Sequence, residues 1–176
     1  SALTPNRRRM PDLEHRLRAA LAAPGGGSSD FDLNPAAARP QGRRLRPAGV
    51  LVPVSLASGT ARVILTKRSS RLKHHPGQIA FPGGKQDEGD ASVAEAALRE
   101  AWEEIGLPRS LPRILGSLPE HEMVTSFRVT PVVALIDRPF EIRPEPGEVE
   151  EVFEVPLNHL LNPGNFAVES RIWQGT

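Results

Sequence analysis

The sequence predicts a layered α/β domain, with a mixed sheet packed between helices. Three observations carry that expectation. Residues 93–105 form an amphipathic helical stretch with clear start and stop signals; runs of strand-forming residues lie on both sides of it; and turn-rich segments separate these runs. Strands before and after a well-marked helix fit sheet-and-helix layers better than an all-helical bundle or an all-strand sandwich.

The elements follow in order. "MPDLEHRLRAALAA" (10–23) reads as a helix, because Leu13, Leu17 and Leu21 recur at four-residue spacing, and "PGGGSSD" ends it. Residues 24–48, rich in Pro, Gly, Ala and Arg, read as a connector. This divides the chain into an N-terminal helix and connector (1–47) and a main domain (48–176). "AGVLVPVSL" and "ARVILTKR" read as strands joined by a turn at Ser58-Gly59, with Pro53 arguing for an edge or a bulge in the first. "HHPGQIAFPGGKQDEGD" reads as a loop around a short apolar piece, Ile79 to Phe81. "RVTPVVALI" (128–136), "VEEVFEVPL" (149–157) and "SRIWQ" near the end read as further strands, the second leading into a helical turn.

The central helix is marked by Ser92 with Glu95 as a capping box, by Gly106 at its end and by Pro108 beyond. Ala94, Leu98, Ala101 and Ile105 form an apolar stripe, which leaves Glu100, Glu103 and Glu104 on the far side with Arg99 beside them. Like charges at i, i+4 destabilise a helix by about 0.2–0.5 kcal/mol per pair. Carboxylates near its C-terminus cost about 0.3–1 kcal/mol more apiece. A bound hard cation such as Mg²⁺ or Mn²⁺ removes the conflict, whereas a screened surface cluster is the plainer alternative.

Composition narrows the function classes. The 176 residues suit one domain with a real core, and no apolar run approaches membrane-span length. The charged N-terminus has no apolar segment behind it, so no signal peptide is expected. With no cysteine, thiolate ligands, cysteine nucleophiles and disulfides are excluded, and a cytoplasmic location is the expectation. A net charge of +1 gives no global field for nucleic acid. Arg62, Lys67, Arg68, Arg71 and Lys73 cluster with His74 and His75, next to acid-rich stretches at 87–104 and 141–154. That juxtaposition suits an anionic ligand with a cation, or two solvated faces.

Gly84 to Leu107 resembles the signature box of the Nudix hydrolases: Gly, five residues, Glu, seven residues, Arg-Glu, an aliphatic, any residue, Glu-Glu, any residue, Gly, an aliphatic. Gly84, Arg99, Glu100, Ala101, Glu103, Glu104, Gly106 and Leu107 match. Asp90 stands at the first glutamate position, with eight residues instead of seven between it and Arg99, and is given a supporting role without a metal. Upstream, "ILTKRSSRLKHHPGQIAFPGG" (64–84) resembles the motif that precedes the box in the coenzyme A pyrophosphatase branch, through Leu65, Thr66, Arg68, Ser69, Gly77, Phe81, Pro82, Gly83, Gly84 and, beyond it, Asp87. Lys73 replaces an arginine there and loses a bidentate donor.

The resemblance implies a Nudix α/β/α sandwich with a mixed central sheet and the box as loop–helix–loop, and with a further helix beyond "RIWQGT". It implies a Mg²⁺- or Mn²⁺-dependent hydrolase that cuts coenzyme A to 3′,5′-ADP and 4′-phosphopantetheine. ADP-ribose or another nucleoside diphosphate derivative is the alternative substrate, and a non-catalytic nucleotide sensor is the alternative of another class. The implied metal ligands are Glu100, Glu103, Glu104 and the Gly83 carbonyl, with Arg99 holding the glutamates. Glu148 is the chosen base, ahead of Glu120 and Glu122. Arg68, Lys73, Arg71, Gly83 and Gly84 are the candidate substrate contacts. Trp102 and Phe81 are expected in the core, and His74 and His75 as polar loop residues. The expected partner is a small molecule, with no nucleic acid and no membrane; a homodimer stays open. RNA binding by "NRRR" and "GRRLR" is remote, because no aromatic residue interleaves the arginines.

Overall fold

The computed structural model describes residues 10–23, 25–33 and 39–167. Its backbone is a mixed sheet built on two long parallel strands, β2 (Arg46–Ser55) and β8 (Phe127–Ile136), paired from Arg46↔Phe127 to Ser55↔Ile136. The strand expected to be an edge because of Pro53 is therefore interior. Its other side pairs with β5 (Gly83–Lys85) up to Val50 and with β3 (Arg62–Arg68) from Val54. Leu51 N–H donates to Pro82 O on that side, so by alternation the Pro53 nitrogen faces the gap where the two partner strands part and no donor is needed. Pro131 repeats the device in β8, between the pairings to β7 (His121–Glu122) and β6 (Arg113–Ser117).

β3 pairs with the two-residue β4 (Ile79–Ala80) and along its length with β9 (Val149–Pro156), which leads into α3 (Leu157–Leu161). The passage expected as loop thus contains β4 and β5. The connector also carries structure. β1 (Ser28–Ser29) runs parallel to β7, and a 3₁₀ turn at Asp30–Asp32 is capped reciprocally by Ser29 and Asp32. The strand expected at "SRIWQ" and the "NRRR" arm lie outside the described residues.

Strand alternation splits the core in two. On one face Leu51, Ile64, Val132, Ala134 and Ile136 pack against the helix α2 (Val93–Ile105) through Ala97, Leu98, Ala101 and Ile105. On the other, Val54, Val63, Leu115, Val133 and Leu135 meet Leu13, Leu17 and Leu21 of α1 (Met10–Ala22) and Leu157 and Leu160 of α3. This is the expected α/β/α layering. Among the described residues, the second face is covered at the Val52–Ser55 end of β2, and its Arg46–Val50 end borders a cleft.

Candidate active site

α2 has the expected N-cap but half of the expected capping box: Ser92 Oγ accepts from the Glu95 N–H at 3.2 Å, with no return bond from the Ser92 N–H to the Glu95 side chain among the described residues, and Gly106 ends the helix at φ 75°. The acidic side differs from the expectation. Glu104 is not on the far side with Glu103; it is 8% exposed, whereas the Glu103 side chain is 53% exposed. Seven residues separate Ala97 from Glu104, about −20° around a helix, so Glu104 stands directly above a core alanine. Trp102 was expected in the core but is 42% exposed, with the Arg143 guanidinium 5.4 Å from its ring centroid.

Arg99 organises the acidic end. It donates through Nε and Nη2 to Asp90, at 3.0 and 2.9 Å, and through Nη1 to Glu100 at 3.0 Å and Glu103 at 3.2 Å. A further bond reaches Lys85 O at 3.1 Å. Asp90, at the shifted box position, is thus the fork's bidentate partner. That contact holds its carboxyl below the usual range, and the surrounding carboxylates push the already high Arg99 value up. Burial raises Glu100, against the pull of Arg99. Burial raises Glu104 further, to about 8, helped by the charges of Glu100 and Glu148 and opposed by the Gly83 N–H, which donates to it at 3.3 Å, and by Arg68.

The two box glycines permit these approaches. A Cβ on Gly84 would lie 2.6 Å from Glu100 Oε1, and one on Gly83 would run into the Gly49 carbonyl and Val50. Glu148 comes from a distant loop. The Arg143 and Glu145 N–H groups donate to the last carbonyls of α2, Ile105 O and Glu104 O, both at 2.9 Å. This cap docks the loop on α2 and brings the Glu148 charge within reach of Glu100 and Glu104. No local pattern in the sequence shows that cap.

The donor set here is carboxylate oxygen, and the buried Glu104 has one neutral hydrogen-bond donor, so the residues fit a hard dication. Among the described residues, no three such side chains are already gathered at coordinating geometry. Glu100 and Glu103 are instead turned onto Arg99.

Beside the acidic end lies a cleft of about 550 Å³. Gly83, Gly84, Phe81 and Arg68 line it, as do His74 and His75, which the sequence suggested only as loop residues. Arg68 Nε is buried without a partner among the described residues. Arg71 and Lys73, expected beside Arg68, are exposed and do not line the cleft. The loop turns at His75 (φ 51°) and Gly77 (φ 70°). Sequence reasoning missed the cleft floor: Ala48 and Val50 from β2, Phe127 and Val129 from β8, with Arg46 at the far end. Glu120 and Glu122 line a different hollow with Ser28, Arg39 and Arg128. No described helix is long and apolar enough to cross a membrane.

The NUDIX domain family model matches residues 45–173. An uncharacterized Nudix hydrolase, NudL, of Citrobacter koseri is 45% identical over 121 residues, 69% of this chain; the chain spans 62% of that relative's length. An Ap4A hydrolase of C. elegans superposes with a TM-score of 0.54 at 19% identity, over 65% of this chain and 83% of that one. A MutT protein of Methanosarcina mazei gives 0.53 at 24% identity, over 69% and 84%. Both likenesses concern the fold.

Proposed function

The chain belongs to the Nudix family, and on that footing we propose that it is a divalent-metal-dependent pyrophosphatase acting on the diphosphate of coenzyme A or its derivatives, with 3′,5′-ADP and 4′-phosphopantetheine as products. The observation that carries this reading is the buried carboxylate Glu104, which accepts from the Gly83 N–H at 3.3 Å, against a cleft lined by Gly83, Gly84, Phe81 and Arg68. A carboxylate cluster next to an unpaired guanidinium nitrogen suits a dication and a diphosphate together.

Glu100, Glu103 and Glu104, with the Gly83 carbonyl, would hold Mg²⁺ or Mn²⁺. Bound there, such an ion neutralises phosphate charge and lowers the pKa of the attacking water. The remaining work falls to the chain itself. Arg99 fixes the carboxylates through the Asp90 anchor. Arg68 binds phosphate oxygens. Glu148, exposed next to the cluster, takes the proton of the attacking water. The coenzyme A assignment is supported by the upstream motif, whose Arg68, Phe81, Gly83 and Gly84 line the cleft; the same motif's Lys73 is left out of the contact.

The test is product analysis by mass spectrometry over coenzyme A, ADP-ribose and dinucleotide polyphosphates, with and without Mg²⁺. Mg²⁺-dependent release of 3′,5′-ADP, with coenzyme A cut most efficiently, is expected. Faster cleavage of ADP-ribose would move the assignment to that substrate, and tight binding without cleavage would make the domain a sensor.

A further inference from the structure

The cleft has two cationic ends. Arg68 stands at the acidic end, where its charge acts on Glu104. Arg46 stands at the other. The floor between them is apolar and follows from strand alternation: Arg46, Ala48 and Val50 of β2 lie in register with Phe127, Val129 and Pro131 of β8. Val50 pairs with Gly83, at the acidic end. Four residues of extended chain separate it from Arg46, about 13 Å. An arginine side chain covers part of that span and leaves room for a nucleoside.

Arg46 differs from three cations around it. Arg43 pairs with Glu122 at 3.3 Å, Arg128 with Glu120 at 3.8 Å, and Lys85 with Asp87 at 4.0 Å. Among the described residues no carboxylate pairs with Arg46; its guanidinium lies 4.3 Å from the Phe127 ring centroid. Stacking of that kind orients the plane while leaving the edge donors free for an anion. The rim that carries the pair is also fixed. Arg46 N–H donates to Ser126 O at 2.9 Å. The Val124 N–H donates to Asp30 at 2.7 Å, and Arg43 donates to Val124 O at 2.7 Å. The N-terminal connector thus holds one wall of the cleft in place.

We propose that Arg46, held flat by Phe127, reads a phosphate monoester that the substrate carries apart from the scissile diphosphate, so that the two ends of the cleft recognise two separate anionic groups. The inference rests on the pyrophosphatase reading above and adds to it a specificity-determining residue. Arg46 makes the contact; Phe127 is a positioning residue.

The experiment measures kcat and KM for matched substrate pairs that differ only in that phosphate, coenzyme A against dephospho-coenzyme A and NADPH against NADH, in wild type, Arg46→Ala, Phe127→Leu and Phe127→Tyr, with folding checked by circular dichroism. A charge-assisted hydrogen bond to an anion corresponds to about tenfold in kcat/KM where the arginine is exposed, as Arg46 is. Wild type is expected to favour the phosphorylated member of a pair by that factor. Arg46→Ala should collapse the preference through KM, with kcat and the unphosphorylated substrate little changed. Phe127→Leu should lose part of the preference and Phe127→Tyr restore it. A wild-type preference that survives in Arg46→Ala overturns the Arg46 assignment while leaving the pyrophosphatase reading intact. Equal cleavage of both members of each pair also overturns it, and the products then identify the reaction independently. Absence of cleavage of every diphosphate would sink the pyrophosphatase reading and this inference with it. A collapse confined to the NADPH pair would keep Arg46 and remove coenzyme A as the substrate.

Discussion

Gly49 and Ala48 are neighbours on β2 and meet opposite surroundings. Gly49 faces α2 so closely that a Cβ there would run into the Val93 carbonyl and come within 3.3 Å of Ala97 Cβ. Ala48 faces the other way, into the cleft floor, where it is itself buried beneath half-buried Val50, Phe127 and Val129. One step along a strand separates the covered face, where packing is complete, from the part of the second face that α1 and α3 leave open. The carboxylates Glu100 and Glu104 lie against Gly84 and Gly83 of β5, which themselves line the cleft, and the floor residues come from the open side. The site is therefore a seam between two faces with different tolerances, and that difference can be attacked experimentally.

The largest expected effect is on the covered face. Gly49→Val forces α2 off β2 and should cost on the order of 3 kcal/mol or more, read as a drop in chemical-denaturation midpoint; a midpoint equal to wild type would mean α2 is not pressed against the strand. Next comes the pH dependence of the metal-free protein. Glu104 is raised to about 8 from the ordinary value of 4.5, so between those values the folded state binds the extra proton. As far as this group is concerned, stability is therefore full at and below about pH 4.5, falls as pH rises toward about 8 and is level above that. The thermal midpoint should drop by on the order of 5 °C across that window, and Glu104→Gln should flatten the slope. A slope unchanged in the variant would remove Glu104 as its source.

On the open face the effects move from stability to binding. Val129→Phe, at a half-buried floor position, projects into the cleft and should lower kcat/KM roughly tenfold through KM, about 1.4 kcal/mol, with the denaturation midpoint nearly kept. If it unfolds the protein instead, the two faces are equally packed. The smallest effect is expected at Lys73→Ala, within about twofold of wild type in kcat/KM, because that side chain lies outside the cleft. Arg68→Ala, measured alongside, should lose about tenfold or more.

The same contrast explains what could be read from the sequence. The box is local. Ser92, Gly106 and the run from Arg99 to Glu104 fall within one helix and its caps, so spacing alone places them. Even there, grouping Glu104 with Glu103 was an error that helical angles could have prevented. Asp90 was legible as a departure from the box, though not as the anchor of Arg99. The floor is non-local. Arg46 meets Phe127 only through a parallel register across 81 residues, and no periodicity in either segment encodes that pairing. Pro53 and Pro131 misled for a related reason. A proline is excluded from a ladder only where a partner needs its N–H, and each faces a gap between two short partners. Lys73 ranked high on its motif position, yet it is exposed and does not line the cleft.

The central claim is that the buried end of this carboxylate cluster is the reactive centre. The most direct measurement is Mg²⁺-dependent turnover of coenzyme A by Glu104→Gln beside wild type, each checked for native circular dichroism. Gln keeps the length and shape of the side chain and removes its charge. Loss of several kcal/mol of transition-state stabilisation corresponds to about a hundredfold or more in kcat. The expected result is a loss of that size in a protein that remains folded and is at least as stable as wild type above pH 8 without metal. Turnover near the wild-type rate in a folded Glu104→Gln protein would contradict the claim.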